Sequence, residues 1–175
     1  MSLFTLVPLA TIAPHDVEAL LDAAFSTDRH LRTAYKIRAG TPWLPALSFA
    51  ACDRHGALLG TLQSWPVALY APEGACYRLT LVGPVAVLPA AQGKGVGRAL
   101  MAELMARAAS EPVDGDALVM IGDPEYYGRF FGFSADATPN WDVPGPVERH
   151  RLLARITRDG GVPAIGTLGP LQPRV

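Results

Sequence analysis

Leu88-Pro89-Ala90-Ala91-Gln92-Gly93-Lys94-Gly95-Val96-Gly97-Arg98-Ala99-Leu100 decides how this chain is read. It follows an extended apolar run, Leu79 to Val87, and leads into a helical pattern that lasts to about Ser110. Strand, glycine-rich turn and helix in that order point unpaired backbone N–H groups at a phosphate. Glycines at 93, 95 and 97 let the chain turn tightly and let a ligand approach without meeting Cβ atoms. Lys94 and Arg98 add positive charge beside the turn. The competing reading is an ordinary strand–helix connection whose glycines serve geometry alone, so the motif needs its context. Two other glycine motifs fit worse. A P-loop needs Gly-Lys-Ser/Thr, and here Gly95 follows Lys94; the dinucleotide fingerprint starting at Gly93 needs a glycine where Arg98 stands.

Composition bounds the rest. The chain has 175 residues, half of them apolar and 18% charged, which suits one compact domain and excludes global disorder. Fifteen Lys and Arg against sixteen Asp and Glu give a net charge of -1, which argues against a general polyanion binder. No Cys/His spacing suggests a metal, and aromatics do not interleave with a basic patch as nucleic-acid modules require. Cys52 and Cys76 read as two small buried thiols. The start, Met1-Ser2-Leu3-Phe4, lacks a signal peptide's basic start and apolar core, and no apolar segment is long enough to span a membrane. A cytoplasmic protein is the expectation.

Along the chain, Phe4 to Leu9 reads as a strand, and Pro14 opens a helix with Val17, Leu20, Leu21, Ala24 and Phe25 on one stripe. A shorter helix is expected over His30 to Arg38, strands over Leu47 to Cys52 and Ala57 to Leu69, and a long strand over Cys76 to Leu88. Gly83-Pro84 interrupts that last strand, which predicts a bulge and backbone groups open to a ligand. Val96, Ala99, Leu100, Leu104 and Ala108 form the inward side of the next helix, with Glu103 and Arg107 paired outside. Ala117 to Ile121 is expected to lie parallel beside the long strand. Asp123 and Pro124 start a short helix that Gly132 ends, and Arg149 to Ile156 reads as the last strand. Residues 1–157 thus form a single domain, and 158–175 a Gly/Pro-rich arm or tail.

Gln92-x-x-Gly95-x-Gly97, with Val85 and Val87 on the strand before it, resembles the Arg/Gln-x-x-Gly-x-Gly/Ala signature of the GNAT N-acetyltransferase superfamily. The resemblance implies a mixed α/β fold. Its central sheet is twisted and mostly antiparallel, flanked by helices, with a V-shaped splay between two parallel central strands. It implies acetyl coenzyme A as acyl donor, with its pyrophosphate at Gln92, Gly93, Lys94, Gly95, Val96, Gly97 and Arg98. The pantetheine arm would lie along Val85, Ala86 and Val87. Asp123-Pro124-Glu125-Tyr126-Tyr127-Gly128-Arg129-Phe130-Phe131-Gly132-Phe133 resembles the second block of the same superfamily, nearest the branch reading Gly-Asp-x-x-Tyr-Tyr-Gly-Arg-Phe-Gly-Phe. In that block a tyrosine stands near the sulfur, which makes Tyr127 the catalytic candidate. The chain departs from the pattern by one phenylalanine, and an added helical residue rotates the residues after it by roughly 100°. Tyr126, or neither tyrosine, is the alternative, and aromatic packing is the plain role for either ring.

The implied reaction is direct transfer of an acetyl group to a primary amine of a small molecule or peptide. A backbone N–H of the splayed strand, such as that of Val87, would stabilise charge on the thioester oxygen, and Tyr127 would donate a proton or hydrogen bond to the departing sulfur. Leu79 through Leu88 carries no carboxylate, so Asp28, His30 and Glu73 are the base candidates, beside a water chain or a neutral amine. Trp65-Pro66 could line an acceptor cleft, though packing is the plainer role. A non-catalytic acyl-coenzyme A-binding protein is the alternative of another class, and the oligomer is open between monomer and homodimer.

Overall fold

Eight strands hydrogen-bond into one sheet in the computed structural model, which describes residues 2–173. They are β1 (Phe4–Pro8), β2 (Phe49–Asp53), β3 (Leu58–Tyr70), β4 (Cys76–Val87), β5 (Ala117–Ile121), β6 (Asn140–Asp142), β7 (Leu152–Ile156) and β8 (Ile165–Pro170). The main path runs β1-β2-β3-β4-β5-β7. Along it every pairing is antiparallel except β4 with β5. Four helices flank the twisted sheet: α1 (Pro14–Phe25), α2 (Thr33–Ile37), α3 (Val96–Ala108) and α4 (Pro124–Phe131). This is the mixed α/β fold that the sequence resemblance implies.

Alternation along the strands sorts the core onto two faces. On one, Val96, Leu100, Met101, Leu104 and Ala108 of α3 pack on Leu62, Val82, Leu118 and Met120, with Val85 and Val87 at the margin. On the other, Val17, Leu20 and Leu21 of α1 cover Ala50 and Ala86. Gly97 weakens α3 by at most about 1 kcal/mol. Each fully buried Leu or Met contributes about 1.5–3 kcal/mol. Packing rather than propensity therefore holds α3, and with it the glycine turn, against the sheet.

Several expectations shift in detail. Ala99 is only half-buried, and Met101 takes its place in the core. The helix expected over His30 to Arg38 divides into a 3-10 turn, Thr27–Leu31, and α2. Cys52 is buried as expected, but Cys76 is exposed, because it starts β4 at the sheet's rim. Nor is Arg149 to Ile156 the last strand. Within the expected arm, β8 pairs with Val67 to Tyr70 of β3, and parallel to β6. Arg174 and Val175 of that arm, and Met1, lie outside the described residues.

Gly60 ties the frame to the turn. A Cβ there would sit 2.8 Å from the Ala86 carbonyl oxygen and 2.8 Å from Cγ1 of Val96. Only glycine lets β3, β4 and the start of α3 approach so closely. Gly60→Ala is expected to cost about 1–3 kcal/mol by overpacking, read as a lower urea midpoint at unchanged m-value. An unchanged midpoint would show that this contact is not tight.

Candidate active site

The sheet opens where β4 leaves β5. These parallel strands pair only at Thr80↔Leu118 and Leu81↔Val119. Immediately beyond, Gly83 and Pro84 of β4 stand opposite the single residue Gln63, and the register with β3 shifts there. This is the expected bulge. Trp65 Nε1 donates to the Gly83 carbonyl at 2.8 Å and anchors it. A cavity of about 1100 Å³ occupies the fork, lined by Val82 to Val85 on one arm and by Met120 to Asp123 on the other. Leu88 N–H donates to Leu59 on β3. Alternation in an antiparallel ladder then turns the N–H and C=O of Val85 and Val87 away from β3, toward the opening. Val85 lines the cavity, whereas Ala86 packs its methyl beneath α1.

The glycine turn lies next to the fork rather than in the cavity lining. Gly93 and Gly95 adopt φ of 77° and 81°, and nothing stands within 4 Å of where a Cβ would project. Gly95 caps α3, with Ala99 N–H donating to its carbonyl at 3.0 Å. Among the described residues, the N–H groups of Gly93, Lys94, Gly95, Val96, Gly97 and Arg98 meet no protein acceptor. Val96 is buried and pins the turn, while Gln92, Gly93, Lys94, Gly95 and Arg98 are exposed. Gly97 sits over Val87, a Cβ there falling 3.5 Å from the valine side chain. Six free amides, a helix dipole and two cations face this concavity, an arrangement that favours negative charge.

On the far arm, Asp123 caps α4 by accepting from Glu125 N–H at 3.1 Å, with Pro124 in the first turn. Gly132, at φ 75°, ends the helix, its N–H bonded to the Gly128 carbonyl. Phe130 and Phe131 both lie within α4, ahead of that cap. Phe130 is 39% exposed and lies under the Arg98 guanidinium, 4.3 Å from the ring centroid. Tyr126 and Tyr127 both line the cavity, their rings edge to face at 4.9 Å. Tyr127 is the better fixed of the two: its ring packs against the core beside Phe131 and Phe133. A Cβ on Gly122 would come within 2.8 Å of that ring. Burial, then the neighbouring Tyr126 and Asp123, push its phenol up to about 12.

The model of the acetyltransferase (GNAT) family matches residues 15–133. The chain belongs to that family. No curated protein matches it. Among solved structures, the GNAT family N-acetyltransferase YhbS from Escherichia coli, solved in complex with CoA, is similar in fold. It is 22% identical with a TM-score of 0.70, over 98% of this chain and 91% of that one. A GNAT family acetyltransferase from Brucella melitensis, solved in complex with acetyl-CoA, is 29% identical with a TM-score of 0.53. That match covers 74% of this chain and 82% of its partner.

This GNAT chain does not bring the base candidates read from its sequence to the cavity. Asp28, His30 and Glu73 are all exposed and line none of it. Asp28 accepts from the Ser26 hydroxyl, and His30 packs its ring edge to face on Tyr35. The carboxylates that do line the cavity are Asp123, engaged in capping α4, and the exposed Glu148. Sequence reading also missed the arginines that line the cavity from residues 29–38, Arg29, Arg32 and Arg38, which Tyr35 accompanies. Their signal was present in the spacing of arginines around α2, but nothing local told the inward ones from the solvated ones. Trp65 is a core residue, 7% exposed, and Trp141 is fully buried. Among the described residues no cluster of His, Cys, Asp and Glu could hold a metal ion, and no helix is long and apolar enough to cross a membrane.

The tyrosine assignment has a titration signature. Below pH 10 the phenol is neutral in both folded and unfolded chains. Above it the unfolded chain loses this proton first, so stability falls as pH rises toward 12. Difference absorbance should show one phenol titrating last, near 12, and Tyr127→Phe should remove it and flatten that slope. Loss of the last-titrating phenol in Tyr126→Phe instead would reverse the two tyrosines.

Proposed function

We propose that this protein is an acyl-coenzyme A-dependent N-acyltransferase of the cytoplasm. It moves acetyl from acetyl coenzyme A directly to a primary amine of a small molecule or peptide. One observation carries the reading: a fork in the sheet, with open backbone groups on β4, stands beside a turn of six amides that meet no protein acceptor. The residues fit the donor. Phosphate oxygens match the amides of Gly93 to Arg98 and the charges of Lys94 and Arg98. The polar arm of an extended thioester matches the outward N–H and C=O of Val85 and Val87. The Asp123–Phe133 block further supports placing the chain in the branch that it resembles.

Acetyl coenzyme A supplies a thioester carbonyl and a thiol leaving group. The amine nitrogen bonds to the carbonyl carbon as the C–S bond breaks, and the proton leaves nitrogen. The Val87 N–H, fixed by the β3–β4 ladder, donates to the carbonyl oxygen, where a preorganised donor lowers the barrier most. Tyr127 acts at the sulfur as a hydrogen-bond donor. Its phenol near 12 against an ordinary thiol near 8.5 makes outright proton transfer uphill by roughly 3.5 units. Asp28, His30 and Glu73 do not line the cavity, Asp123 is engaged as a cap and Glu148 is exposed, which supports an acceptor that binds as the neutral amine or sheds its proton to water.

Gly95→Asp sets a carboxylate in the concavity of the turn and strains a residue at φ 81°. Calorimetry should show acetyl coenzyme A binding weakened about tenfold or more; unchanged affinity in a folded variant places the phosphates elsewhere. Across an amine panel monitored by thiol release, Tyr127→Phe should lower kcat about 10- to 100-fold with donor affinity retained. Binding without turnover of any amine would favour a non-catalytic acyl-coenzyme A-binding protein.

A further inference from the structure

Four arginines line the cavity of the fork, Arg29, Arg32, Arg38 and Arg151, against the two carboxylates Asp123 and Glu148. These cations are not equivalent. Arg29 is 2% exposed and fully engaged: its guanidinium pairs with Glu18, donates to Asp22 at 3.0 Å and donates to the Tyr35 hydroxyl at 2.6 Å. Arg32 and Arg151 are exposed, so water screens them. Arg32 lies over the Phe25 ring at 5.1 Å, and Arg151 donates from Nε to the Gly122 carbonyl at 3.4 Å.

Arg38 differs from all three. It is half-buried, and its guanidinium lies 3.6 Å from the Trp65 ring centroid and 4.0 Å from that of Tyr35. Among the described residues no carboxylate pairs with it. The Tyr35 hydroxyl, which accepts from Arg29, is the neutral polar partner beside Arg38, and Glu18 acts on it only from farther off. Aromatic faces satisfy part of a cation but none of its N–H donors, which lie in the guanidinium plane. Partial burial of a guanidinium without an anionic acceptor carries a cost, and a planar carboxylate matches its fork with two parallel hydrogen bonds. Its place is also fixed. Trp65, on which Arg38 stacks, holds the Gly83 carbonyl at the bulge, so the guanidinium sits beside the apex of the fork.

We propose that Arg38 receives the carboxylate of the acceptor, so that the acceptor class is small amines carrying a carboxylate, amino acids and their close relatives. Among the described lining residues Arg38 is the guanidinium both partly sheltered from water and without a carboxylate, so it can balance one carboxylate, and a cavity of about 1100 Å³ has room for a small acceptor beside the acyl thioester. The word acceptor rests on the acyl-transfer reading, whereas carboxylate recognition by Arg38 is a matter of binding alone.

The test uses matched sets: an amino acid, its carboxamide and its decarboxylated amine. Thiol release is followed with each, and the corresponding N-acetylated products are titrated calorimetrically onto the protein in saturating coenzyme A. The carboxylate member should be favoured about tenfold or more in kcat/KM and in product affinity. Arg38→Lys and Arg38→Met should narrow that preference toward one, through KM, with melting temperatures confirming the fold. Arg38-dependent binding of the carboxylate product without any thiol release would leave the site standing and overturn acyl transfer. Equal handling of all members by the wild type, or a loss in the variants shared equally by charged and neutral members, would overturn the site and leave acyl transfer standing.

Discussion

Two residue pairs, Thr80↔Leu118 and Leu81↔Val119, make up the whole backbone ladder between β4 and β5, and the opening of the sheet depends on that brevity. A parallel pair that continued would satisfy the backbone of Val85 and Val87 and close the sheet. Instead Gly83 and Pro84 stand against one residue of β3, and β4 leaves its neighbour. Proline lacks the N–H that a ladder would need, so the break falls where the sequence can no longer pair. The fork is therefore a property of β4 itself.

The surrounding core keeps the fork open. Antiparallel pairing with β3 extends along β4 from Cys76 to Val87, so the diverging strand stays supported on one side. Gly60 brings Val96 against the β3–β4 ladder, which sets the first turn of α3 beside the free edge. On the opposite arm the Asp123 cap and the Gly132 stop fix both ends of α4, and the close seat of Gly122 under Tyr127 fixes the ring. Each arm of the fork is thus fixed by its own packing and caps. The wall of the cavity next to α1 is held differently, by Arg29 tying α1 to the Thr27–Leu31 turn through Glu18 and Asp22. That leaves Arg38, on the next segment, without a carboxylate of its own.

Sequence alone makes the fork, the glycine turn and α4 legible because each has a local cause: a Gly-Pro in a strand, glycines at φ above zero, an Asp-Pro start and a glycine stop. The elements that escaped it have distant causes. Ile165–Pro170 reads as a tail because of its glycines and proline, yet Gly166 is there because a Cβ would meet the Leu69 side chain at 2.9 Å. Of its two partner strands, β3 lies about a hundred residues earlier and β6 is only three residues long, and no periodicity within six residues announces it. The same holds for the site. His30 is the residue type suited to a base, but its ring packs on Tyr35, outside the cavity. Arg38 looks like any surface arginine until α2 stacks it on Trp65 of β3.

If the open edge of β4 and the amides of the glycine turn form one continuous site for an extended acyl thioester, both must respond together to the same ligand. Backbone amide NMR of the protein titrated with coenzyme A tests this most directly. The expected result is concerted shifts at Val85, Val87 and Gly93 to Arg98, with Tyr126 and Tyr127 moving as well and β6 and β8 unmoved. Saturable shifts that spare Gly93 to Arg98, or that centre on the β6–β8 end of the sheet, would contradict it.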